Sequence, residues 1–338
     1  MPSDSFKIIA VIGATGNQGS SVAKTFAALP HWRVRCITRN VESEKAKELH
    51  KLGCELVQGD LDDESSLLKA FQDVHAVFVN TDFWGQYREG LQSNRPHDEV
   101  CKASYDMEVR HGINAFRAAA KIPTIERYVY SALGPMKRAS HGKYTKSFHW
   151  ETKAAIVDFI CSQHNDQELS SLAEKSSLIY VGCFTTNVFL RPQLDPKDGS
   201  YKVVYPGPAT TTFPIIDPCR STGPFVRALV EDKAPGARLL ACDEELTLKE
   251  CFDLWSNYTG KSYTFRQVTL EEMHEITGKP YEILHGAAFL AEYEYTAGVP
   301  RAIKPEDLKH RPKTDSYEDF VKRQTMGFLL DQPGASPK

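Results

Sequence analysis

The chain has 338 residues, 41% of them hydrophobic and 25% charged, an ordinary soluble composition with room for about two domains. Its 17 Phe, 14 Tyr and 4 Trp supply a sizeable core, which excludes intrinsic disorder. The 44 acidic and 41 basic residues leave a formal charge of −3, too balanced for a broad nucleic-acid-binding face or a polybasic membrane anchor.

No apolar run approaches the roughly 20 residues of a membrane span, and the stretch from Ile8 to Ile12 is too short for a signal peptide. The eight cysteines have neither C-x-x-C nor zinc spacing. They read as reduced thiols of a cytoplasmic protein, with a nuclear location left open. No metal site is expected: Asp62-Asp63-Glu64 reads as the capped start of a helix.

In chain order, short apolar runs over residues 7–12, 33–38, 55–58, 76–80, 127–131 and 177–181 are expected as strands. Most lack polar alternation, as in strands covered on both faces. Helical patterns lie between them. Val22, Phe26 and Leu29 repeat at i, i+4, i+7, and further helices are expected over 42–52, 64–71 and 108–121. This rhythm implies an α/β fold, a Rossmann-type doubly wound parallel sheet. Residues 85–106 have no clear period and are expected as a long loop, serving as a lid at the sheet edge. Residues 163–176 read as a surface insertion. From about Leu190 Pro and Gly become frequent, and helices are expected over 222–231, 247–259, 270–277 and 317–326. The expected division is a dinucleotide-binding region 1–190, a smaller mixed α/β portion 191–332 that binds substrate or partner, with the chain free to cross between them, and a disordered tail 333–338.

The most informative segment is Gly13-Ala14-Thr15-Gly16-Asn17-Gln18-Gly19, which follows the first strand and opens the first helix. Glycines there let backbone N–H groups approach a pyrophosphate that the helix N-terminus also attracts, and Thr15, Asn17 and Gln18 can add side-chain hydrogen bonds. No Gly-Lys-Ser/Thr ends the motif, which disfavours a P-loop. After the second strand stands Arg39 where an acidic residue would bind a ribose diol; a guanidinium there suits a 2′-phosphate and predicts NADP(H) over NAD(H). Asp60 and Leu61 follow the third strand, where Asp60 can flank an adenine. Asn80, Thr81 and Asp82 follow the fourth, placed to line the ribose and pyrophosphate.

With these residues on view, the chain resembles the NmrA-like family of atypical short-chain dehydrogenase/reductases. The likeness is carried by Thr38-Arg39-Asn40, Lys47-Glu48-Leu49 with Val57-Gln58-Gly59-Asp60, and Phe83-Trp84. It continues through Tyr128 to Leu133, His149-Trp150-Glu151-Thr152-Lys153 and Cys183-Phe184-Thr185-Thr186-Asn187. The resemblance implies that Gly13, Gly16 and Gly19 hold the pyrophosphate and Arg39 the 2′-phosphate. It also implies that Lys153 reaches the nicotinamide ribose, while Cys183, Phe184 and Asn187 lie on the nicotinamide side. One basic residue expected after the second strand is replaced by Ser43 or Glu44, with Lys45 nearby.

Active short-chain reductases place Tyr and Lys four apart on a helix, where the Tyr exchanges a proton with the substrate. Here that pair reads His149 and Lys153, and Tyr144 lies nine residues before the lysine. The missing tyrosine favours an NADPH-sensing regulator with a protein partner. The alternative is an NADPH-dependent reductase of a small apolar carbonyl or enone, using Lys153 with His149 or a water. The cluster Tyr281, Phe289, Tyr293 and Tyr295 reads as core or pocket lining. Monomer and homodimer both stay open, and no direct nucleic-acid or membrane contact is expected.

Overall fold

The computed structural model describes residues 6–93, 95–332 and 337; apart from 337, the tail expected to be disordered lies outside the described residues. The chain runs β1 (Lys7–Ile12), α1 (Asn17–Ala27), β2 (Trp32–Thr38), α2 (Glu44–Lys51), β3 (Glu55–Gln58), α3 (Glu64–Ala70) and β4 (Ala76–Val79). It continues α4 (Phe83–Leu91), α5 (His97–Ala120), β5 (Arg127–Ala132), α6 (Met136–Ala139), α7 (Phe148–Cys161), α8 (Gln167–Glu174) and β6 (Ser176–Val181). β4 and β6 are buried along their whole length, which explains the unbroken apolar runs of β4 and of residues 178–181 in β6.

Residues 85–106 are a correction to the sequence reading. They form most of α4 and the first part of α5 rather than a loop. Asp82 caps α4 by accepting from the Trp84 N–H, and Phe83 stacks on Tyr87 one turn later. The inward face of this first part of α5 carries Val100, Cys101 and Ser104, with Glu108 one turn on, instead of large apolar residues. That composition hides the period. The segment 163–176 likewise holds a helix, α8, capped by Asp166.

Beyond β6 come the short strands β7 (Cys183–Phe184), β8 (Gln193–Leu194), β9 (Tyr201–Tyr205) and β10 (Thr212–Ile216), then α9 (Thr222–Arg227). They are followed by β11 (Arg238–Ala241), β12 (Glu244–Thr247), α10 (Leu248–Thr259), β13 (Tyr263–Gln267), α11 (Leu270–Thr277) and α12 (Tyr281–Glu292). The last helices are α13 (Tyr317–Arg323) and α14 (Met326–Leu329). β11 was not expected from the sequence: it pairs in parallel with β6, Arg238 opposite Leu178, so β6 is not the last strand of the sheet.

The main sheet has seven strands in the order β11-β6-β5-β4-β1-β2-β3, every pairing parallel. Two three-stranded sheets, β12-β10-β7 and β13-β9-β8, make up the mixed remainder. One core cluster gathers Leu67, Phe71, Phe116, Tyr128 and Ile156 on one face of the main sheet. The other gathers Val22, Phe26, Phe225 and Leu229 on the opposite face. The fold is a Rossmann-type doubly wound α/β sheet.

α9 lies on α1 so closely that the Gly223 N–H donates to Ser21 Oγ at 2.9 Å, and a Cβ at Gly223 would sit 2.2 Å from Thr25 Oγ1 and 2.3 Å from the Ser21 carbonyl oxygen. Gly223→Val therefore forces these helices apart. Its expected cost is about 1–3 kcal/mol, read as a lower urea midpoint.

Candidate functional site

Strand order reverses at β1, which lies between β4 and β2, so the carboxyl ends of β1 and β4 open a crevice. Gly13 turns the chain there with φ +72°, and a Cβ on it would stand 3.2 Å from the Asn80 carbonyl oxygen. A Cβ on Gly19 would lie 2.2 Å from the Gly13 carbonyl oxygen. Both positions need hydrogen in place of a side chain. α1 starts from Gly16 with no side-chain cap and no acidic residue in its first turn, so its positive end is uncompensated and suited to an anion. Thr15 is half-buried and Asn17 exposed, while Gln18 turns inward and accepts from Ser131 Oγ at 2.7 Å. That bond ties the glycine turn to the end of β5.

Thr38 in β2 lies opposite Gln58 in β3, which brings Arg39 and Asp60 to neighbouring strand ends. Arg39 is exposed, and among the described residues no carboxylate pairs with it or with Lys45. Asp60 is half-buried and accepts from the Asp62 N–H, while the Leu61 carbonyl accepts from Asn114. Asp82 is occupied in capping α4.

Beneath the crevice lies a buried polar network that the sequence did not reveal. Lys153 Nζ lies 3.2 Å from Glu108 Oε1 and donates to Thr81 Oγ1 at 3.1 Å and to the Thr81 carbonyl at 3.2 Å, with Asn80 Oδ1 at 3.5 Å. The Glu108 side chain has 0% exposure. It also accepts from Thr81 Oγ1 at 2.6 Å and from Thr152 Oγ1. With its own proton given to Glu108, Thr81 Oγ1 accepts from the Tyr130 hydroxyl at 3.1 Å. Tyr130 is thus the phenol nearest this lysine, but burial pushes it well above the usual phenol range. It keeps its proton and is itself fully buried.

One turn before Lys153, His149 Nδ1 lies 2.5 Å from Glu282 Oε1. Glu282 comes from α12, is fully buried, and accepts as well from the Phe148 N–H at 2.7 Å and the His149 N–H at 3.0 Å. Its carboxylate therefore caps α7 and holds the imidazole together. His149 Nε2 has no hydrogen-bond partner among the described residues, and its side chain is 18% exposed beside Trp84, whose ring centroid is 4.7 Å away. Tyr144 lies before α7, packed against His285, Phe289 and Tyr293. Phe184 and Asn187 are half-buried, whereas Cys183 turns its thiol into the core, where burial raises it. A surface hollow of about 400 Å³ opens between Tyr105, Arg138, Glu151 and Asp158. Helical spacing puts it on the face of α7 opposite His149 and Lys153.

Fold and crevice define a Rossmann-type α/β protein with a glycine turn at its switch point. The chain belongs to the NmrA-like family, whose model matches residues 5–321. It is similar to an NmrA-like family domain-containing oxidoreductase of Aspergillus hancockii, 27% identical over 81% of this chain and 79% of that one. A second such oxidoreductase, from Aspergillus japonicus, is 47% identical over 58% of this chain, an alignment spanning 52% of that relative. Among solved structures, NmrA, a negative transcriptional regulator in complex with NADP, matches at a TM-score of 0.61 and 22% identity, covering 78% of this chain and 75% of that one.

Two carboxylates that shape the site, Glu108 and Glu282, escaped the sequence reading. Glu108 leaves a trace: it stands in the buried row with Cys101, Ser104, Gly112 and Ala115, where an unpaired charge is costly. Glu282, in the first turn of a helix, has the pattern of an ordinary dipole partner.

Lys153→Ala leaves Glu108 without its counter-charge and is expected to cost about 3 kcal/mol in chemical denaturation, with Lys153→Met/Glu108→Gln restoring most of it. His285 Nδ1 accepts from the Thr145 and Lys146 N–H groups at 3.0 and 3.2 Å, and burial, reinforced by Lys146, lowers its pKa. The fold thus favours the neutral ring, while the unfolded chain takes up a proton near pH 6.5. Stability is present above that pH and is lost as pH falls below it. The urea midpoint is expected to drop between pH 7 and pH 5, and less so in His285→Gln.

Proposed function

We propose that this chain binds NADP(H) in the crevice and acts as an NADPH-dependent oxidoreductase. The observation that carries the reading is an uncapped helix N-terminus beside an exposed, unpaired guanidinium on the adjacent strand end. The residues fit the cofactor: hydrogen in place of Cβ at Gly13 and Gly19 lets the turn close tightly on the Asn80 and Gly13 carbonyls, and the start of α1 that follows it has no side-chain cap. Gly13, Thr15, Gly16, Asn17, Gln18 and Gly19 would cradle the pyrophosphate, and Arg39 with Lys45 the 2′-phosphate. Asp60 and Leu61 would border the adenine. Asn80, Thr81, Asp82 and Lys153 would line the nicotinamide ribose, with Phe184, Asn187 and the backbone of Cys183 beyond it. When bound, NADPH supplies hydride. The Aspergillus relatives named as oxidoreductases support this reading.

A second reading is an NADPH-responsive regulator that works through a protein partner. It is favoured by the likeness to the NADP-bound regulator and by the sealed position of Tyr130. Turnover separates the two. An oxidoreductase consumes NADPH with a member of a carbonyl and imine panel; a regulator binds NADPH and reduces none. In either case NADPH should bind saturably by fluorescence titration. Arg39→Glu should weaken NADPH about tenfold or more through loss of a charge-assisted contact, while changing NADH affinity little. Equal loss for both coenzymes removes Arg39 from the 2′-phosphate site.

A further inference from the structure

We propose that His149 and Glu282 form the proton-delivering pair of this site, with Glu282 as the positioning residue and His149 Nε2 as the donor to a carbonyl- or imine-class acceptor. The inference rests on the oxidoreductase reading above.

The geometry divides the labour. Glu282 has no exposure and spends its oxygens on two backbone N–H groups and on His149 Nδ1. An acceptor-only carboxylate requires the ring proton on Nδ1 and leaves Nε2 as the outward nitrogen. It also compensates a ring that carries both protons. Nε2 is free of protein partners among the described residues, and the ring shares one face of α7 with Lys153. Lys153 is held by Glu108 and Thr81, so its protons are already engaged. Tyr130 is buried. His149 is the remaining acid on this face. The titratable groups facing the pair are Lys153 on the same helix, Tyr87 and Cys101 from α4 and α5, His285 on α12, and Lys146 from the preceding loop.

Reduction of a C=O or C=N bond needs hydride at carbon and a proton at the heteroatom. With hydride supplied by NADPH, which leaves as NADP+, the π pair moves to the heteroatom and bonds the Nε2 proton. The N–H electron pair stays on the imidazole, and water returns the proton.

The test joins ¹⁵N NMR of the full-length protein with steady-state kinetics. In the free protein, the neutral His149 ring should carry hydrogen on Nδ1 and a lone pair on Nε2. His149→Gln, which leaves both backbone N–H bonds to Glu282 in place, should lower kcat about 100-fold or more, with NADPH affinity within about twofold. Glu282→Gln should move the alkaline limb of kcat down by about one pH unit, a shift that a capping role alone would not cause. A ring with hydrogen on Nε2 only, an unmoved limb, or full kcat in His149→Gln overturns the pair while the oxidoreductase reading stands. Wild-type protein that binds NADPH yet reduces none of the panel overturns both.

Discussion

Helix α7 is held in place by two carboxylates that have no contact with water. Removing an ion from solvent costs several kcal/mol unless every lone pair finds a donor, so Glu108 and Glu282 each dictate what surrounds them. Glu282 gathers two helix-start N–H groups and an imidazole; Glu108 gathers two threonine hydroxyls and an ammonium. Between them they set the rotation and the height of α7. Both residues that α7 turns toward the crevice, His149 and Lys153, are oriented by a bond to one of these acids.

The two anchors come from different parts of the chain. Glu108 lies in α5 under the main sheet, and Glu282 in α12 of the C-terminal portion. The same helix α12 grips the preceding loop through His285, and Lys143 pairs with Glu292 at its far end. The crevice wall therefore depends on residues that lie far apart in sequence, and packing of α12 is a condition for a well-placed imidazole.

Local pattern was enough for the first six strands of the main sheet and the glycine turn. The runs at β1 and β3 have the bounds expected from their apolar residues, and Gly13, Gly16 and Gly19 stand where strand gives way to helix. Pattern failed where a buried face was polar. The first half of α5 turns Cys101, Ser104 and Glu108 inward with Val100, so hydrophobic periodicity has little to register there. It failed again at β11, a four-residue strand inside a Pro- and Gly-rich region. Long-range pairing was out of reach for a different reason. Nothing near Glu282 in sequence announces that its partner is a histidine more than a hundred residues earlier.

The return of the chain at β11 also bears on how the protein comes apart. β6 is buried along its length and exchanges hydrogen bonds with β5 on one side and β11 on the other. A proteolytic fragment ending near Leu190 would bare one side of β6 as a row of unsatisfied amides and carbonyls on an apolar ribbon. Such a margin recruits other chains. Partial degradation of this protein should thus yield sticky aggregates, not a free-standing nucleotide-binding piece.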